Sequence, residues 1–140
     1  MAVKTYDPNA VIVTVGGFVM SGFADGTAIQ AARNEDAWST QIGVDGEGTR
    51  SKSNNRSGTI TISLMQSSDS NQVLSNFALT DDASGGGAVP VMIKDGNGDT
   101  LLVAETAWVK KMADVEYSRE AGAREWVLET DNLVMNVGGN

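Results

Sequence analysis

The sequence predicts a mainly β protein: an antiparallel β-sandwich or barrel with one packed α-helix and one long extended loop. Three observations predict it. Short β-type runs bounded by Gly, Asn and Asp recur along most of the chain. One stretch after Asp69 places apolar residues at helical spacing. And Asp45–Ser57 contains no apolar side chain from which to build a core of its own. At 140 residues the chain reads as a single domain, 1–140, large enough to bury most of its apolar surface without staples.

The elements follow in order. Val11–Val15 and Phe18–Met20 flank Gly16-Gly17, a two-residue hairpin turn signal. Thr27–Arg33 and Ala37–Val44 read as strands joined by Asn34-Glu35-Asp36. In the second, Trp38, Thr40, Ile42 and Val44 share one face. Alternation places Trp38, Trp108 and Trp126 at core positions. Thr59–Gln66 alternates most regularly, with Ile60, Ile62 and Leu64 on one side.

Asp69 with Gln72 matches a capping box, and Val73, Leu74, Phe77 and Ala78 form the apolar stripe of the helix that follows. That stripe is expected to face Ile60, Ile62 and Leu64. Ser84-Gly85-Gly86-Gly87 ends the helix in a flexible connection. Strands resume at Val89–Lys94, Thr100–Met112 and Arg124–Met135. The last carries Glu125, Glu129 and Asp131 on one face and Trp126, Leu128 and Val134 on the other.

Composition excludes several functions. The sequence has no Cys and no His, which removes disulfides, thiol chemistry and the commonest metal ligand and general base. No cofactor is expected. Asp95-Gly96-Asn97-Gly98-Asp99 begins like a calcium loop, but Thr100 and Thr106 stand where the turn Gly and the bidentate Glu belong, so a hairpin turn is the reading. Glu129 and Asp131 would lie about 6–7 Å apart along a strand. A carboxylate pair also needs a pocket and a raised pKa, so no enzyme is expected. No basic segment followed by an apolar run opens the sequence, and no apolar run is long enough for a membrane span. The net charge of −8 argues against holding nucleic acid by phosphate neutralisation.

The loop and its neighbours carry a resemblance. DGEGTRSKSNNRSGTITIS at Asp45–Ser63, GFADGT at Gly22–Thr27, RNED at Arg33–Asp36, KTYDP near the start and the closing VGGN together resemble the short tail tube proteins of contractile-tailed bacteriophages. These are similar in kind to the tube subunits of type VI secretion and contractile bacteriocins. The resemblance runs over nearly the whole chain and is strongest across Arg33–Leu64.

It implies a virion structural protein, assembled in the host cytoplasm as hexameric rings that stack into a tail tube. Subunit strands would join into a continuous inner β-barrel that conducts DNA during ejection without binding it specifically. The implied partners are further copies of the chain, the tail sheath, the tape-measure protein, and the baseplate and tail-terminator proteins, with no membrane binding by the subunit itself. Asp45–Ser57 would be the extended inter-subunit loop, with Asp45, Glu47, Arg50, Lys52, Asn54, Asn55 and Arg56 as its contact residues. Glu35, Asp36, Glu125, Glu129 and Asp131 are the candidates for the lumen wall. The alternative is a monomeric or dimeric β-sandwich binding module. That reading requires an exposed aromatic platform or a deep pocket.

Overall fold

A computed structural model describes residues 3–139. A 3-10 turn at Pro8–Ala10, opened by the Asp7 carboxylate accepting from Asn9 N–H at 2.9 Å, leads into ten strands and one helix. The strands are β1 Val11–Val15, β2 Phe18–Val19, β3 Ile29–Arg33, β4 Trp38–Ile42, β5 Gly48–Lys52, β6 Gly58–Met65, β7 Val89–Asp95, β8 Leu101–Val109, β9 Ala123–Thr130 and β10 Val134–Asn136. The helix, α1, spans Ser70–Ser84. Eight strands form one antiparallel sheet in the order β2-β1-β7-β8-β9-β6-β3, with β10 on β8; β4 and β5 pair only with each other.

The architecture turns on β8. Its first part pairs with β7 on one side and β10 on the other, and its last part, Ala107–Val109, pairs with β9. Between them the register with β7 shifts, and consecutive residues Glu105 and Thr106 are both exposed. Such an irregularity bends a strand and lets a sheet change direction. The sheet is thereby divided into two halves that share β8. Val13, Val15, Val91, Ile93 and Leu102 from one half and Ile60, Ile62, Leu64, Trp126 and Leu128 from the other belong to a single buried cluster. The mainly β antiparallel fold with one packed helix is therefore as expected.

Local chemistry explains several elements. Gly16 and Gly17 have φ of 58° and 87°, the left-handed region that a two-residue hairpin turn demands. β6 alternates as its sequence does, with Ile60, Ile62 and Leu64 at 0–1% exposure. At the end of α1, Gly85 adopts φ 72° and donates its N–H to Asp81 O at 2.8 Å. The Asp95–Asp99 turn is closed by Gly98 N–H to Asp95 O and by Asn97 N–H to the Asp95 carboxylate.

The structure corrects other expectations. The Asp69 side chain makes no cap bond, and Gln72 donates to Asn76 instead of reaching back. The start of α1 is held by Ser68, whose hydroxyl accepts from Ser70 N–H, and by Asn71, whose amide donates to the carbonyls of Met65 and Ser68. Gly87 is buried against the Phe77 carbonyl and Asp81, a close approach to the helix, while Gly85 and Gly86 are exposed. The helix lies chiefly across β8, not β6. The expected last strand breaks at Asp131–Leu133, which shifts the alternation: Leu133 is buried and Val134 is exposed. The strand expected over Thr100–Met112 ends at Val109.

Phe77 is only half-buried. It sits edge-on to Phe18 with ring centroids 6.1 Å apart, capping the β1–β2 turn. We expect Phe77→Ala to cost about 1–3 kcal/mol, less than the roughly 3–5 of a fully buried Phe. A denaturant titration checks this value.

Candidate assembly surfaces

β3 and β6 are antiparallel neighbours, so residues 34–57 are an excursion between two paired strands. Its neck is closed by Asn34 N–H to Ser57 O at 3.0 Å and by Ser53 N–H to Ala37 O at 2.8 Å. Short polar side chains reinforce it. Thr59 donates to the Asn34 carbonyl at 2.9 Å, Ser53 to Glu35 at 3.1 Å, and Ser57 N–H to Asn55 at 3.0 Å. Farther along, Leu133 N–H donates to Arg56 O at 2.8 Å.

Beyond the neck, β4 and β5 form a two-stranded ribbon in which every residue is exposed. Its turn is made by Gly43 N–H to Glu47 O, Gly46 N–H to Gly43 O and Glu47 N–H to the Asp45 carboxylate. The stretch expected to be a loop over 45–57 therefore consists of this turn, a strand and the returning neck. The consecutive strands expected at Thr27–Arg33 and Ala37–Val44 are present as β3 and β4, and they belong to different sheets.

The ribbon has two unlike faces. Register places Trp38 opposite Lys52, Thr40 opposite Arg50 and Ile42 opposite Gly48, so these six share one face. The other face holds Ser39, Gln41, Thr49 and Ser51. The Arg50 guanidinium lies 4.1 Å from the centre of the Trp38 ring. This contact is a cation–π pair. Trp38 was expected in the core and is instead 45% exposed, because no layer covers either side of the ribbon. Trp108 is half-buried, and only Trp126 is a true core residue, at 3% exposure. Arg50 occupies one face of the Trp38 ring, so that ring is not a bare platform.

The remaining predicted residues do not form one cluster. Glu35 and Asp36 lie at the neck. Asp131 is an exposed bend residue after β9, beside Asn132, which bridges to Arg56 at the same end of the sheet. Glu129 faces outward on β9 and pairs with Lys110 at 3.2 Å. Glu125 also faces outward but is roughly 20 Å along the strand direction from Asp131. Asn54 is exposed at the neck, and the Asn55 carbonyl is engaged with Ser57. Sequence reasoning missed Asn71, which joins α1 to β9 by accepting from the Trp126 indole N–H at 2.9 Å. Only an Asn at the second position of the helix marked it.

The ribbon leaves both of its faces and its strand edges uncovered. Residues 2–138 match the family described as bacteriophage PhiTE tail tube protein. Structural protein ORF10 of Pseudomonas phage KPP10 is 28% identical over 145 residues, covering 98% of this chain and 84% of that protein. Among solved structures, the sheath/tube terminator of the PVC extracellular contractile injection system superposes with a TM-score of 0.65 at 12% identity, covering 98% of this chain and all of that one. The sheath–tube complex of the same system gives 0.61 at 12% identity, over 94% and 91% of the two chains. At that identity the likeness is one of fold. The family and its phage relative are virion structural proteins, not enzymes. With a match across nearly its whole length, this chain belongs to the bacteriophage PhiTE tail tube protein family.

Proposed function

We propose that the chain assembles into hexameric rings that stack as the tube of a contractile phage tail and conduct DNA during ejection. The observation that carries this reading is the β4–β5 ribbon, exposed on all ten strand residues. An isolated two-stranded hairpin is marginally stable in water, so contact with a neighbour would stabilise it. The outer edge of β3 supports the reading too. It presents unpaired backbone groups at the end of the sheet, a template for a strand of the next subunit. Closing such edges around a ring gives the continuous inner barrel.

The likeness to a sheath–tube complex and to a sheath/tube terminator supports a sheath outside the tube and a terminator at its end. The tape-measure protein inside and a baseplate below complete the partners proposed, with assembly in the host cytoplasm. The acidic balance suits a conduit. Cationic walls hold DNA by counterion release, and a wall of neutral and acidic side chains does not brake it. Glu35, Asp36 and Asp131 at one end of the sheet, and Glu125 and Glu129 along β9, remain the proposed lumen residues.

Electron microscopy of the purified protein at high concentration tests the proposal. Rings, and tubes with an open lumen, are the expected result. A strictly monomeric species by light scattering, with no rings on grids, overturns it. A tube reconstruction whose lumen is lined mainly by Lys and Arg overturns the account of the wall.

A further inference from the structure

Between β1, β10 and the β3 side of the sheet lies an open cleft of about 1230 Å³. Its apolar lining includes Val11, Ile12, Val19, Ile29, Met135 and Val137. Several of these stay in water: Ile12 is 44%, Val19 64% and Val137 74% exposed. The charged side chains that line it are Asp25 and Asp95, and no Lys or Arg does. The cleft exceeds the ~300–1,000 Å³ typical of small-ligand pockets and is open along its length. That shape suits a piece of polypeptide. An apolar trough with an acidic margin marks an interaction site.

The ribbon has the complementary chemistry. Ile42 is 65% exposed, and Val44, at its tip, is fully exposed. Val44 follows Ile42 by two residues, and Ile42 shares its face with Trp38, Arg50 and Lys52. The large apolar and cationic side chains of the ribbon thus sit together, with only hydroxyl and amide groups opposite. From Trp38 to Ser57 the chain carries three basic and two acidic side chains, a net +1, and the rest of the chain therefore carries −9 of its −8.

We propose that the cleft is the receptor for the β4–β5 tip of a second copy of this chain. Ile42 and Val44 enter the apolar trough, and Arg50 and Lys52 lie toward its acidic margin. The contact joins two different surfaces, so it propagates head to tail from copy to copy. The proposal rests on the assembly reading and specifies which surfaces meet in it.

The chain has no Cys, so introduced thiols report without background. In V44C/V19C and, separately, V44C/V137C, a short bis-maleimide should convert assembled protein into a covalent ladder extending beyond dimers. V44C/V115C, whose second site is exposed but outside the cleft, should give no ladder. V44D should raise the concentration for half-maximal assembly by more than about tenfold, equivalent to 1.4 kcal/mol. Its far-UV circular dichroism should not change. Tubes that form without a ladder, or V44D that assembles normally, overturn the cleft as receptor and leave the tube reading standing. Failure of the unsubstituted protein to assemble under any condition overturns both.

Discussion

Replacing Arg50, Lys52 and Arg56 together with Glu should abolish tube formation at concentrations where the parent protein assembles fully. The triple change takes the stretch from Trp38 to Ser57 from +1 to −5 and faces it with neighbours whose remaining charge is −9. Like charges brought together in an interface cost several kcal/mol, so the concentration needed for assembly should rise roughly a hundredfold or more. The folded subunit should barely notice. All three side chains are exposed, and the main intramolecular loss is the Arg50–Trp38 contact on an uncovered ribbon. The thermal midpoint should shift by no more than a few degrees. Partial recovery of tubes at higher salt would identify the block as electrostatic. Normal tubes from the variant would show that these residues take no part in subunit contact.

The largest loss of subunit stability is expected at Trp126. Its ring is 3% exposed between the halves of the sheet, and its indole N–H reaches Asn71 of α1 at 2.9 Å. Trp126→Ala removes the largest side chain of the buried cluster and should cost about 3–5 kcal/mol. Trp126→Phe keeps most of the apolar volume but leaves the Asn71 carbonyl without the indole, at about 1–3 kcal/mol. Asn71→Ala should cost more than an ordinary surface change, because three carbonyls before the helix also use its amide. Denaturant titrations of the three variants check the order Trp126→Ala, then Trp126→Phe. A loss below about 1 kcal/mol for Trp126→Ala would show that the two halves do not depend on this ring.

What the sequence made legible were the elements with one buried face. β6 and β1 alternate because water lies on one side only, and Gly16-Gly17 announces its turn because few other residues tolerate its dihedrals. β5 escaped because Gly48-Thr49-Arg50-Ser51-Lys52 is solvated on both faces and so shows no apolar period. The same cause misplaced Trp38: alternation signals a core only when something packs on the ribbon. The pairing of β3 with β6 was hidden because their connection had been enlarged into the ribbon itself. At the helix start, Ser67-Ser68-Asp69-Ser70 offers several competing caps, and pattern alone selected Asp69 over Ser68. Of the candidate site, the basic loop was visible as a sequence stretch. The cleft was not, since its walls come from residues as far apart as Val11 and Val137.

The order of the sheet also sets a timetable. β9, at Ala123–Thr130, is made after both β6 and β8, yet it lies between them near the middle of the finished sheet. Until then β3, β6 and the ribbon they carry have no strand pairing with the β1-β7-β8 half. Pairing across such distances is slow to form. The ribbon is therefore translated before the strand that mounts it on a rigid body. Until β9 emerges, a nascent chain holds a hook without a frame.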